Sequence, residues 1–312
     1  MTAVAVAPRK LVGTVRHADR ALAGLTAAAV VVILVMLAIV LGDVIIGGAR
    51  TLSWQFVSEV PTEGMTKGGV FPAIFGTVAL TLLMTLVAVP AGVATAIYLT
   101  EYASAKSTLA RLVRVCVANL AGVPSIVFGL FGLGFFISTV GRAIDKVAYG
   151  GQGVYGRPCL LWASLTLAIL TLPVVVVTTE EAILSVPREL REASLAVGAT
   201  RLQTIVRVVL PEALGGILTG TILAVSRGAG EVAPILFTGV AYYLPALPTH
   251  LNDQFMSLGY HVYVLATQSP DVDKTKPLLY GTALVLLSLT FLLNLIAIWI
   301  RSRTRGQSRA AR

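Results

Sequence analysis

Charge is scarce in this chain. Only 12% of its 312 residues are Asp, Glu, Lys or Arg, while 56% are hydrophobic and the mean hydropathy is +0.85. That balance excludes an ordinary soluble domain and makes lipid the expected solvent. Aromatic residues are also few, at 7%, and the apolar residues run in long unbroken stretches. An outer-membrane barrel instead alternates apolar and polar residues over short segments, so the spanning element is the helix. There are two cysteines, Cys116 and Cys159, and neither has metal-ligand spacing around it. Both read as packing residues. His250 and His261 lack a third ligand at metal spacing, so no zinc site is expected. No phosphate-cradling GxxxxGK[ST] loop occurs, so any ATP hydrolysis belongs to another polypeptide and no cofactor is expected. The net charge of +9 does not point to nucleic acid, because the basic residues sit at the ends of apolar runs and in the tails. The first apolar run is too long for a removed signal peptide and lacks its small-residue cleavage site.

Crossing the hydrocarbon core takes about 20 apolar residues. Residues 21–46, 70–99, 113–140, 160–177, 214–238 and 278–300 meet that length. The expected organisation is a tail at 1–20, a first span with its external loop at 21–68, and a transmembrane domain at 69–300. That domain contains a polar loop at 178–213 and is followed by a basic tail at 301–312. Sixteen Lys and Arg residues lie on the side of the tails and seven on the other: Arg50, Lys67, Arg142, Lys146, Arg157, Lys274 and Lys276. The positive-inside rule then puts both termini in the cytoplasm.

The loop at 178–213 is patterned for two short helices. Pro187 suits a first turn and Gly198 a stop. Thr200 with Gln203 three positions on is a capping-box pattern, which starts a second helix carrying Leu202, Ile205, Val206 and Val209 before Pro211 opens the fifth span. Glu192-Ala193-Ser194, then Gly198, then Val208-Val209-Leu210-Pro211 resembles the EAA signature of bacterial ABC importer permeases. The resemblance implies a type I ABC importer permease fold: all-α, polytopic, with six transmembrane helices. It also implies a loop that docks on an ATPase subunit, so that Glu192, Ala193, Ser194, Gly198, Leu210 and Pro211 carry coupling. Ser194 stands where the motif has a second alanine.

Arg227 and Glu231 are four residues apart inside the fifth apolar run, on one helical face and within pairing reach. A charge near the bilayer centre costs about 2.5–3.5 kcal/mol on insertion scales, so the pair should face an interior or a water-filled cavity. Gly216, Gly220, Ala224 and Gly228 form a small-residue stripe beside it, suited to close helix packing. A guanidinium held there is able to donate paired hydrogen bonds to a tetrahedral oxyanion. The residues alone leave open a simple helix-fastening ion pair.

Ser226-Arg227-Gly228-Ala229-Gly230-Glu231-Val232-Ala233-Pro234, with Leu236-Phe237-Thr238-Gly239, is similar to the signature of PstA-type permeases of phosphate importers. Ile97-Tyr98-Leu99-Thr100-Glu101-Tyr102-Ala103, Val123-Pro124-Ser125-Ile126-Val127-Phe128-Gly129 and Thr178-Thr179-Glu180-Glu181 fit the same family. This resemblance implies that Arg227 and Glu231 line a phosphate path. It also implies four kinds of partner: a second permease subunit (PstC-like), two ATPase subunits (PstB-like), an extracytoplasmic phosphate-binding protein (PstS-like) and the lipid bilayer. Val177 stands where some relatives carry an arginine, which leaves sulfate or molybdate as rival substrates. An ion-coupled secondary transporter using the Arg227–Glu231 pair is a further rival, but it has no use for an EAA loop. Among the remaining polar residues, Asp43 reads as interfacial, Asn119 as an interhelical hydrogen bond, and Glu180 and Glu181 as structural. The loop at 239–277, with Tyr242, Tyr243, Tyr260 and Tyr263, reads as a docking surface for the binding protein.

Overall fold

The computed structural model describes residues 9–62, 67–104, 106–269 and 271–310; the ends of both tails, including Arg312, lie outside the described residues. The helices are α1 (Arg9–Ala49), α2 (Trp54–Ser58), α3 (Phe71–Ile97), α4 (Thr108–Ala121), α5 (Ser125–Phe131) and α6 (Arg142–Ala148). They continue with α7 (Leu160–Leu184), α8 (Arg188–Ala196), α9 (Arg201–Thr204), α10 (Leu210–Gly230), α11 (Leu258–Thr267) and α12 (Val272–Ala310). Pro61–Thr62 and Lys67–Gly68 pair antiparallel as a minimal ladder between α2 and α3.

Among the described residues, six helical stretches are long and apolar enough to cross a membrane: Asp19–Ala49, Phe71–Tyr102, Ser125–Ala148, Leu160–Leu184, Arg201–Gly230 and Asp273–Arg303. The fold is therefore the expected six-span, all-helical one. Three boundaries differ from the sequence expectation, each for a local reason. The third crossing begins at Ser125, after a break at residues 122–124, and the apolar residues before it belong to the separate helix α4. Pro124 causes the break, since it lacks an N–H and disfavours helical backbone at Val123. The fourth span continues to Leu184, so residues 178–184 are helix rather than loop. Thr178 and Glu180 tolerate this because the Thr178 hydroxyl donates to the Val174 carbonyl at 2.7 Å and Glu180 pairs with Arg114 at 2.8 Å. The fifth helical rod starts at Arg201 and ends at Gly230, well short of residue 238. Pro211 does not open it. A π-helical turn at Ile205–Val209 lies immediately before α10 and absorbs the proline within a continuous rod.

The helix α7 is the spine. Gly92 of α3 lies against Val175, and on the same face of α7 Ala182, Thr178 and Thr171 meet Gly216, Gly220 and Gly228 of α10, with Met84 of α3 nearest to Gly228. The small-residue stripe is thus where α10 meets α7. In lipid such interfaces are held by close packing rather than by transfer of apolar surface out of water. Buried hydroxyls on these helices, including Thr77, Thr81, Thr166 and Thr171, donate to carbonyls four residues back and so need no outside partner. The long helices α1 and α12 run antiparallel, with Gly47 and Gly48 against Tyr280 and Leu284, so both described chain ends lie at one end of the bundle, here the terminal end. Tyr280 donates to Asp43 at 2.8 Å, which gives Asp43 the role of joining α1 to α12.

Three further expectations change. Cys159 is buried, but Cys116 is exposed on α4. Asn119 is exposed and makes no side-chain hydrogen bond to another helix among the described residues; the amide that does is Asn294. The 239–277 loop is not all surface. Phe255, Met256 and Leu258 are fully buried, and the Leu258 N–H donates to the Thr77 hydroxyl, which seats α11 between α3 and α12. Tyr242, Tyr243 and Tyr263 remain exposed, whereas Tyr260 packs on the core.

Candidate functional site

Two groups of residues stand out, at the two ends of one rod. The first is the loop that follows α7. Pro187 precedes α8, Gly198 follows it with φ +88°, and the Thr200–Gln203 capping box starts α9. A left-handed φ is readily adopted only by glycine, so the turn between the two helices depends on Gly198. No side chain of α8 is buried. Glu192 and Ala193 are exposed, as are Leu195 and Val197. An exposed amphipathic surface of this kind, mixing Glu189 and Glu192 with Leu190, Ala193 and Leu195, is suited to contact with another protein. Ser194 faces inward instead. Its hydroxyl lies 3.0 Å from that of the buried Thr204, so the departure from the EAA pattern ties α8 to α9. Leu210 packs on the cluster formed by Ala182, Ile183 and Val209, while Pro211 is exposed at the edge of a groove shared with Leu190 and Arg207.

The second group is at the far end of α10. Arg227 Nε donates to Glu231 Oε1 at 3.2 Å, and the side chains are 44% and 19% exposed. The pairing is as expected from the spacing, but Glu231 is not inside the helix. It is the residue that ends α10, with extended backbone at φ −74° and ψ 133°. Next to Arg227, Gly228 touches Met84 and Thr171, which lie close to the midpoints of the spans Phe71–Tyr102 and Leu160–Leu184. The pair is therefore level with the middles of those two helices, and non-helical chain runs on from it to Pro234. Arg227 in the last turn complements the negative end of the α10 dipole. Its two terminal guanidinium nitrogens have no partner among the described residues, so a planar pair of donors is available to an oxyanion. The Ser226 hydroxyl beside it donates to Asn294 Oδ1 of α12 at 2.5 Å, which fixes the rotation of α10 at this level.

Sequence reasoning missed Asn294 and the interactions of Glu101, Arg114 and Arg191. Arg114 pairs with Glu180 across 66 residues and Arg191 with Glu101 across 90, separations at which no local pattern gives a signal. Among the described residues no group of His, Cys, Asp and Glu is arranged to hold a metal.

Residues 88–306 match the family model described as binding-protein-dependent transport system inner membrane component. The probable ABC transporter permease protein YqgI of Bacillus subtilis is 32% identical over 289 residues, which cover 89% of this chain and 92% of that protein. The phosphate transport system permease protein PstA 1 of Mycobacterium tuberculosis H37Rv is 36% identical over 235 residues, covering 75% and 70% of the two chains. A subunit of the crystal structure of a bacterial alginate ABC transporter bound to its periplasmic protein superposes with a TM-score of 0.66 at 16% identity, over 90% of this chain and 93% of that one.

Proposed function

Since this chain belongs to the family of binding-protein-dependent transport system inner membrane components, we propose that it is the membrane-spanning permease subunit of an ATP-driven phosphate importer. It pairs with a second, PstC-like permease subunit, sits on two PstB-like ATPases and receives phosphate from a PstS-like extracytoplasmic binding protein. It catalyses no covalent reaction. The terminal end of the bundle faces the cytoplasm, where sixteen of the chain's basic residues are placed by the sequence.

The observation that carries this reading is the continuous helical rod from Arg201 to Gly230, with an exposed, EAA-like loop at one end and Arg227 near the other. At 1.5 Å per residue the rod spans about 40 Å between the capping box and the charged pair. Closure of the ATPases against Glu192, Ala193 and Gly198 pushes this rod lengthwise or tilts it. Either motion moves Arg227 relative to the facing subunit, which is alternating access with the anion site at mid-depth. Glu231 neutralises Arg227 when the path is empty, and phosphate completes the unpaired donors when it is occupied. The phosphate permeases among the relatives support phosphate over other oxyanions.

Uptake of labelled phosphate by vesicles holding the complete complex tests the assignment. The expected result is uptake that needs ATP and the binding protein and is not suppressed by excess sulfate or molybdate. Equal suppression by either oxyanion would make the subunit a permease of a different or broader specificity.

A further inference from the structure

A separate cluster of charged side chains lies between the docking loop and the end of α3. Arg191 of α8 donates from Nε and Nη2 to Glu101 Oε1 at 3.3 and 3.1 Å. The same guanidinium donates to the carbonyls of Val186 at 2.5 Å and Ile183 at 2.7 Å, just at the end of α7. Ile183 is in the last turn of α7, where its carbonyl also accepts the Val186 N–H at 3.2 Å, and a cation there favours the helix dipole. Arg201, the first residue of α9, donates to the Glu101 carbonyl and stacks over the Tyr102 ring at 5.3 Å. Glu101 and Tyr102 belong to the π-helical turn Tyr98–Tyr102 that extends α3. The side chains of Arg191 and Glu101 are only 19% and 12% exposed, so the pair is poorly screened by salt.

Each helix of the loop thus grips the same turn of α3, and Arg191 grips α7 as well. The chain itself joins the loop only to α7 and α10; nothing covalent nearby ties it to α3. We propose that Arg191 and Glu101 form a latch that makes α3 follow the docking loop, so that α3, α7 and α10 move as one body when the ATPases close. This inference rests on the permease reading above. Arg191 and Glu101 are positioning residues: they touch neither phosphate nor nucleotide, and their role is to keep the far walls of the path in step with the loop. Without the latch the loop would drag α7 and α10 past α3, where Met84 meets Gly228, and ATP would be spent without a matched opening.

The test uses the complete complex in proteoliposomes, with wild type, Glu101→Gln, Arg191→Lys and the double variant. Phosphate uptake and ATP hydrolysis are measured on the same preparations, and assembly is scored by co-purification of the ATPase subunits. Glu101→Gln keeps the size of the side chain and Arg191→Lys keeps its charge, so the latch is weakened with little loss of packing. In assembled complexes uptake per ATP hydrolysed should fall by roughly three- to thirtyfold, the range over which residues within a coupling network act. The double variant should be no worse than the poorer single one. A lower yield of complex with unchanged uptake per ATP would reduce the pair to a structural fastener and overturn the proposal. Wild-type chain that retains no ATPase would instead overturn the permease reading, and the latch with it.

Discussion

Among the described residues Arg227 makes one side-chain ion pair, to a residue that ends its own helix, and this separates it from Arg114 and Arg191. Arg114 and Arg191 each combine a carboxylate with backbone carbonyls and are held from several directions. Their positions are fixed, whereas Arg227 keeps donors in reserve. The Arg227–Glu231 contact was legible in the sequence because it is local, but the ending of α10 between the two residues was not. The run from Ser226 onward is small and apolar, and only folding reveals that Gly230 is the last helical residue. His261 also acquires its character through folding. It is 3% exposed on α11, outside the six spans, its Nδ1 has no partner among the described residues, and burial pushes its pKa down to about 4. The unfolded chain binds a proton near pH 6.5 while the folded chain resists it, so the folded state is stable above that value and loses ground as the pH falls. At pH 5 the loss relative to neutral pH is about 2 kcal/mol. Thermal unfolding of the detergent-solubilised protein should show this drop, and His261→Leu should remove most of it. An equal drop in the variant would place the pH sensitivity elsewhere.

At the scale of elements, α7 and α10 are fastened by small residues meeting side chains closely, with Gly220 against Thr178 as the tightest point along the stripe. Any larger side chain at position 220 must displace the α7 wall, and overpacking of this kind costs about 1–3 kcal/mol. Gly220→Leu should therefore lower the unfolding temperature in detergent markedly. Gly230→Ala should leave it nearly unchanged, because nothing lies within 4 Å of where its methyl would sit. Similar effects of the two substitutions would contradict the packing described for α10. The stripe was readable from spacing, as were the loop's glycine stop and capping box, since each depends on residues within a few positions. The break before Ser125 was not, because apolar residues continue on both sides of Pro124 and hydropathy registers no change. The seating of α11 was hidden for a related reason. Its segment carries His, Tyr and Gly in a polar-looking loop, and its burial comes from contacts with α3 and α12 far away in sequence.

Across the whole molecule, the six crossings and the even placement of the two ends followed from hydropathy alone, which needs no knowledge of packing. What hydropathy could not reveal is how the crossings are connected mechanically. The loop after α7 continues as one rod into Arg227, while Arg191, Arg201 and Ser194 bind the loop back onto the bundle. In the proposed complex the half-exposed side of α10 at Arg227 faces the second permease subunit, and the anion passes between the two. The measurement that tests this most directly is phosphate uptake by vesicles carrying the complete complex with Arg227→Gln, compared with wild type at equal assembly. The account predicts that uptake collapses while the ATPase subunits remain bound and active. Unchanged uptake would show that Arg227 only fastens the end of α10 and that phosphate takes another route.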